Sequence, residues 1–272
     1  MSNFRELVAS RELLANLTMR EVSGKYRRTV LGQLWSLINP IVLMLVYTVV
    51  FSFIFRARPS EGDPSGLNIY PLWLMCGLLP WLYFTRVVNG GLTSIVSNAN
   101  LIKKVYFPRM HLPLSVALST GVTWAMELGV LALALLIFGG MPLPFLPVVV
   151  IWMVLLALFA VGLAMMLAIL NVHFRDTQHF VALLLQMWMY LTPIIYPISL
   201  VREGAEQYGS WIIEVYRLNP MERFVEVFRN LLYDNRLPLW DDALWCVGWA
   251  GVVFALGYLV FQKNEKRLAE LL

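Results

Sequence analysis

An all-α integral membrane protein with six transmembrane helices is the fold class that three observations predict. The 272-residue chain is 59% hydrophobic and only 14% charged, whereas soluble domains are about a quarter charged. Its apolar residues gather into runs of about 20, the length that crosses a bilayer. The polar stretches between those runs are too short to hold a soluble catalytic fold.

Taken in order, residues 3–28 bear six cations (Arg5, Arg11, Arg20, Lys25, Arg27, Arg28), and Phe4, Leu7, Val8, Leu14, Leu17 and Val22 recur at roughly helical spacing. A basic amphipathic pattern just before a span predicts a helix lying in the membrane interface, within an N-terminal unit of residues 1–33. A solvated helix leading into the span is the plainer alternative. No apolar core follows the first charges, so no cleavable signal peptide is expected. The membrane unit covers residues 34–262. Its predicted spans are 34–55 (with Pro40 near the start), 69–88 (with Pro80 inside), 112–138, 145–170, 180–196 (broken near its end by Pro193) and 243–261. A basic tail, 263–272, ends the chain.

Between the second and third spans lies the basic, aromatic stretch SIVSNANLIKKVYFPRMHLPL, residues 94–114. Asn98 and Asn100 read as turn or N-cap residues. Residues 101–107 predict about two helical turns, stopped at Phe107 because Pro108 lacks a backbone donor and restricts the residue before it. A loop that is merely basic would be the simpler account. Val105, Tyr106 and Phe107 argue otherwise, because a free loop has no need to display apolar groups. Residues 198–242, after the fifth span, also contain structure. Asn219-Pro220 reads as an N-cap followed by proline in the first turn, and Met221, Phe224, Val225, Phe228 and Leu232 follow at helical spacing. A re-entrant or surface-lying hairpin is expected there, with a small outer cap as the alternative.

Six spans put both termini on one side. The side holding the termini, residues 94–114 and residues 171–179 carries 13 Lys and Arg; the other carries seven, offset by 10 acids. Positive charge is retained in the cytoplasm, so both termini and the basic stretch are expected there.

Several chemistries are excluded or weak. There is no G-x-x-x-x-G-K-[ST] phosphate loop, so nucleotide binding of that kind is not expected in this chain. Cys76 and Cys246 sit inside apolar runs without metal or redox spacing. His111, His173 and His179 lie in or beside the inner connections and lack further ligands, so no metal site is expected. The single intramembrane acid, Glu127, marks either a pathway or a pair. Arg86 is a conceivable partner, although it is placed nearer the inner end of its span, and Glu127→Gln is expected to leave transport largely intact. Aromatic residues that could line a pathway are Tyr47, Phe51, Trp81, Tyr83, Trp188 and Tyr190. A nucleic-acid partner is not expected.

Five segments resemble one family in order along the chain: KYRRTVLGQLWSLINP (25–40), NANLIKKVYFPRMHLPL (98–114), NVHFRD (171–176), YLTPIIYP (190–197) and LNPMERFVEVFR (218–229). They are similar to the permeases of type-2 ABC exporters for cell-surface polysaccharides, among them the O-antigen, capsular polysaccharide and teichoic acid exporters. The resemblance implies a multi-pass homodimer in the bacterial cytoplasmic membrane, with two copies of a separate ATPase subunit that bind ATP and Mg, and no cofactor in this chain. It implies that Asn100, Leu101, Ile102, Lys103, Lys104, Val105, Tyr106, Phe107, Pro108 and Arg109 form the coupling helix seated in the ATPase. Phe174, Arg175 and Asp176 would make a second cytoplasmic contact. The N-terminal helix would gate the entrance, where Lys25, Tyr26, Arg27 and Arg28 would meet lipid headgroups. The implied substrate is a polysaccharide on a polyprenyl diphosphate; a small hydrophobic compound or lipid is the alternative cargo.

Overall fold

The computed structural model describes residues 10–25, 30–54, 61–209, 211–265 and 268. Among these residues the chain contains eleven α-helices and no strand. α1 (Arg11–Lys25) is followed by α2 (Trp35–Tyr47), which widens into a π-helix over Thr48–Ile54. α3 (Tyr70–Ser97) leads through the short α4 (Ala99–Lys104) to α5 (His111–Ile137). α6 (Leu146–His173) precedes α7 (Thr177–Tyr190), and three shorter helices follow: α8 (Ile198–Tyr208), α9 (Trp211–Leu218) and α10 (Pro220–Arg229). A π-turn, Asn230–Asp234, extends α10 before α11 (Trp240–Asn264).

Among the described residues, four helical segments are long and apolar enough to cross a membrane: Tyr70–Ser97, His111–Ile137, Leu143–His173 and Trp240–Asn264. They correspond to the second, third, fourth and sixth predicted spans. The second runs nine residues beyond its expected end at Val88, because the polar residues there do not break the helix. The hydroxyls of Thr93, Ser94 and Ser97 bond back to carbonyls of the preceding turn, which lets a serine or threonine stay in a helix. α3, α5, α6 and α11 pack side by side, with α6 touching both α3 and α11 closely. A Cβ on Gly257 would overlap the backbone of Gly162, so small residues set the α6–α11 approach. Gly139 takes φ 95° at the end of α5, a conformation that favours glycine, and the amide of Gly140 returns to the Leu135 carbonyl at 2.9 Å.

The first predicted span is helical from Trp35 to Ile54, where the described residues pause. The fifth predicted span is shorter than expected. There α7 ends at Tyr190, six residues before the predicted boundary, because Pro193 cannot donate to the ladder and its ring crowds the preceding turn. The carbonyls freed by that break are not left unpaired. Asn219 Nδ2 donates to Leu191 O at 3.3 Å. The Arg229 guanidinium donates to Pro193 O and Ile194 O at 2.7 Å each, and Tyr70 Oη donates to Ile195 O at 2.6 Å. Backbone away from water needs such partners.

α10 therefore packs inward rather than lying loose on the surface of the bundle. Asn219 caps it as predicted, accepting from Met221 N at 3.1 Å. Met221, Phe224, Val225, Phe228 and Leu232 are all buried, and the helix packs against α3 and α11. α8 and α9 stay more open, with Leu200, Trp211, Val215 and Leu218 exposed. α1 packs on α5, with Leu17 buried and Met19 exposed.

Candidate functional site

The basic stretch gathers at one end of the bundle, with the end of α3, the start of α5 and the end of α11. Its helix, α4, stops at Lys104, three residues before the predicted Phe107. Val105 is already extended, at φ −134° and ψ 133°. In extended chain successive side chains alternate, so Tyr106 points out and Phe107 points in. Phe107 and Ile102 are each 6% exposed, whereas Tyr106 is 89% exposed. Val105, Lys103, Lys104 and Asn100 are exposed too, and Leu101 is half-buried. Phe107 is thus an anchor rather than part of the displayed face, and it corrects the expectation that all three of Val105, Tyr106 and Phe107 are presented.

Several bonds pin the segment. Arg109 N donates to Glu265 Oε1 at 2.8 Å, and the Arg109 guanidinium donates to the Glu265 carbonyl. His111, fully buried, joins the Pro108 carbonyl at 2.8 Å and Ser10 Oγ at 3.0 Å. Arg20 Nη2 donates to Asn98 Oδ1 at 2.6 Å, while Asn98 Nδ2 returns to Ser94 O at 2.9 Å. The Asn98 side chain therefore ties α1 to α3 and does not cap α4. Ser10, α1 and the end of α11 thus converge on a short segment that displays Lys103, Lys104, Val105 and Tyr106.

The connection from α6 to α7 lies at the same end, since Asn171 Nδ2 donates to Leu92 O in the last turns of α3. Phe174 is 69% exposed, and Arg175 and Asp176 beside it are exposed. Tyr26, Arg27 and Arg28 lie outside the described residues, as does the side chain of Lys25, which ends α1.

The six aromatic residues do not form one lining. Tyr83 is buried and stacks on Trp124 at 4.2 Å, and its hydroxyl donates to Ala117 O at 3.4 Å. Trp81, also buried, meets Phe84 and the edge of Trp188 at 5.7 and 6.0 Å. Trp188 Nε1 donates to Asn219 Oδ1 at 2.8 Å. Tyr47 meets Phe51 edge-on at 6.4 Å, and Tyr190 is exposed. Trp81, Tyr83 and Trp188 are thus parts of the internal packing of α3, α5, α7 and α10.

Arg86 and Glu127 meet at 2.7 Å, with side chains 21% and 1% exposed. The different heights expected of them on their helices are bridged by the length of the arginine stem. Sequence reasoning counted Arg229 only as an outer cation. Besides its two carbonyl bonds, it lies 3.7 Å from the Trp73 ring centroid and is 4% exposed. The signal available in the sequence was a proline-broken span followed by an arginine on the apolar side of a short helix.

The sequence matches the ABC-2 type transporter family over residues 12–233. It is 32% identical over 269 residues to the O-antigen export system permease protein RfbA of Myxococcus xanthus, covering 98% of this chain and 97% of the relative. It is 29% identical to an RfbA of Klebsiella pneumoniae, covering 96% and 95%. Similarity extends to the polysialic acid transport protein KpsM of Escherichia coli, 23% identical with 93% of each chain covered. Fold, anchored basic segment and family match agree, and the chain belongs to the ABC-2 type transporter membrane family.

Proposed function

We propose that the chain is the permease subunit of an ATP-driven exporter that moves a polyprenyl-diphosphate-linked polysaccharide, of O-antigen or capsule type, across the bacterial cytoplasmic membrane. The relatives' names supply the polysaccharide. The observation that carries the drive mechanism is the pinned segment of α4 and the extended residues after it, whose displayed Val105 and Tyr106 stand beside a framework of buried anchors. A chain without a phosphate loop must receive its energy by contact, and a partner shifts a conformational equilibrium only by binding its two states differently. A rigid handle transmits such a difference better than a loose loop.

In this reading the basic end is cytoplasmic, as the charge bias demands. Two copies of the chain assemble with two ATPase subunits, which receive the α4 segment and Phe174 to Asp176. α1 flanks the inner entrance. α10 is a re-entrant helix at the outer end, and the broken α7 is tolerated because protein groups satisfy its backbone. The test is a reconstituted complex of permease and ATPase. ATP hydrolysis should rise with a polyprenyl-diphosphate glycan and not with small hydrophobic drugs. A response to drugs alone would reassign the cargo.

A further inference from the structure

At the end of the bundle opposite the basic segment, where α3 begins, the loop before Tyr70 is stitched onto the π-turn that follows α10. Ser65 N donates to Asp234 O at 3.2 Å. Ile69 N donates to the Tyr233 hydroxyl at 3.0 Å, and that hydroxyl donates to Leu67 O at 2.8 Å. Against this loop, between α10 and the starts of α3 and α8, lies a hollow of about 180 Å³. At about 30 Å³ per water in the liquid, it has room for one small ring rather than a chain.

Trp73 and Ile198 give the hollow an apolar side. Four carboxylates, among them Glu226 and Asp234, and the guanidiniums of Arg229 and Arg236 form the rest of its polar wall. These charges satisfy one another only in part. Arg236 reaches Asn230 Oδ1 at 2.9 Å and Asp234 at 3.3 Å. Arg229 spends Nη1 and Nη2 on the Pro193 and Ile194 carbonyls, and its buried Nε–H has no acceptor among the described residues. Glu226 stands three residues before Arg229 on α10, and its carboxylate accepts no hydrogen bond among the described residues. A buried donor without an acceptor is costly. An unmet donor and an unmet acceptor on one wall fit a group that both gives and takes, as a hydroxyl does.

We propose that this hollow seats one uncharged hexopyranose unit, its hydroxyls toward Glu226 and the arginines and its C–H side toward Trp73 and Ile198. An indole offers such an apolar body beside polar neighbours. Among the described residues no three His, Cys, Asp or Glu side chains are grouped to hold a metal ion, so a bare divalent cation fits less well. The acids outnumber the arginines four to two. Like charges brought together are penalised, so the seat disfavours uronic and other acidic sugars. As a contact for a glycan leaving at the outer end, the seat rests on the function and orientation proposed above; sugar binding itself does not.

The experiment is saturation-transfer NMR of the full-length chain in detergent, with methyl α-glucopyranoside, glucuronic acid and ethanolamine as probes. The glycoside should receive saturation, and glucuronic acid should bind about tenfold more weakly through charge repulsion. Ethanolamine, an ammonium without a ring, should also bind more weakly than the glycoside. Glu226→Gln keeps one acceptor oxygen and loses the charge, so glycoside binding should fall severalfold and the gap to glucuronic acid should narrow. Asp63 also borders the hollow. Its side chain is 88% exposed, so Asp63→Asn leaves the packing alone; it should raise glucuronic acid binding and barely change the glycoside. No saturation of the glycoside, or equal binding of glycoside and glucuronic acid, would overturn the proposal. So would glycoside binding indifferent to Glu226→Gln, or glucuronic acid binding indifferent to both variants. Ethanolamine binding best would assign the hollow to a cation and overturn it too. The function is read separately in the reconstituted complex. ATP hydrolysis that answers to a lipid-linked glycan, without glycoside binding here, would sink the seat and leave the function. Glycoside binding that depends on Glu226, with hydrolysis answering to drugs alone, would do the reverse.

Discussion

The stretch 98–111 and the stretch 219–229 look alike on paper and behave oppositely in the folded chain. Each has an asparagine and a proline near a short run of apolar and cationic residues. At the basic end α4 is held by buried anchors while Val105 and Tyr106 face outward. At the other end α10 turns Met221, Phe224, Val225 and Phe228 entirely inward. The difference lies in what the neighbours need. α7 breaks before Pro193 and leaves four carbonyls within five residues without helical partners, and α10 reaches three of them through Asn219 and Arg229.

Breaking this contrast should cost most at Arg229. Arg229→Ala strips Pro193 and Ile194 of their donors and Trp73 of its cation, for a loss of about 3–5 kcal/mol in stability. Thermal unfolding in detergent reads it directly. Arg229→Lys should recover only part, because an ammonium lacks the planar fork that reaches two carbonyls while lying over a ring. An unchanged midpoint in the alanine variant would mean that the α7 break is satisfied some other way.

Phe107→Ala comes next. A buried aromatic truncated to alanine costs about 3 kcal/mol or more, so the α4 segment should loosen and become sensitive to limited proteolysis. Smaller again is the ion pair of Arg86 and Glu127. Glu127→Gln keeps an acceptor for Arg86, which retains some exposure, and should cost only about 1 kcal/mol. Arg86→Ala leaves the carboxylate deeply buried without its cation and should cost about 3 kcal/mol. Equal losses in the two variants would contradict this asymmetry.

How much of this was readable in the sequence depends on which forces act locally. Helix positions for α3, α5, α6 and α11 followed from run length, and the Asn219 cap followed from its dipeptide. The early stop of α4 did not, because it accompanies the burial of Phe107 in a core built from residues distant in sequence. The pairing of Arg86 with Glu127 was weakened on paper by helix height alone, which ignores the reach of an arginine. Burial of Trp81 and Tyr83 inside the helix bundle was likewise invisible. They are two positions apart on α3, and only the neighbours Trp188 and Trp124 decide where each ring goes. The role of Arg229 depends on a chain break about 35 residues earlier, a relation that no local pattern encodes.

The smallest expected effect on stability is at the displayed pair, Val105 and Tyr106, and it is there that function should change most. The double variant Val105→Ala with Tyr106→Ala should unfold within about 0.5 kcal/mol of the parent, as exposed substitutions do. Reconstituted with its ATPase, it should lose most substrate-stimulated ATP hydrolysis and export while the permease stays assembled. Full coupling in that variant, with the ATPase bound as tightly as before, would contradict the claim that this anchored helix is where force enters the membrane.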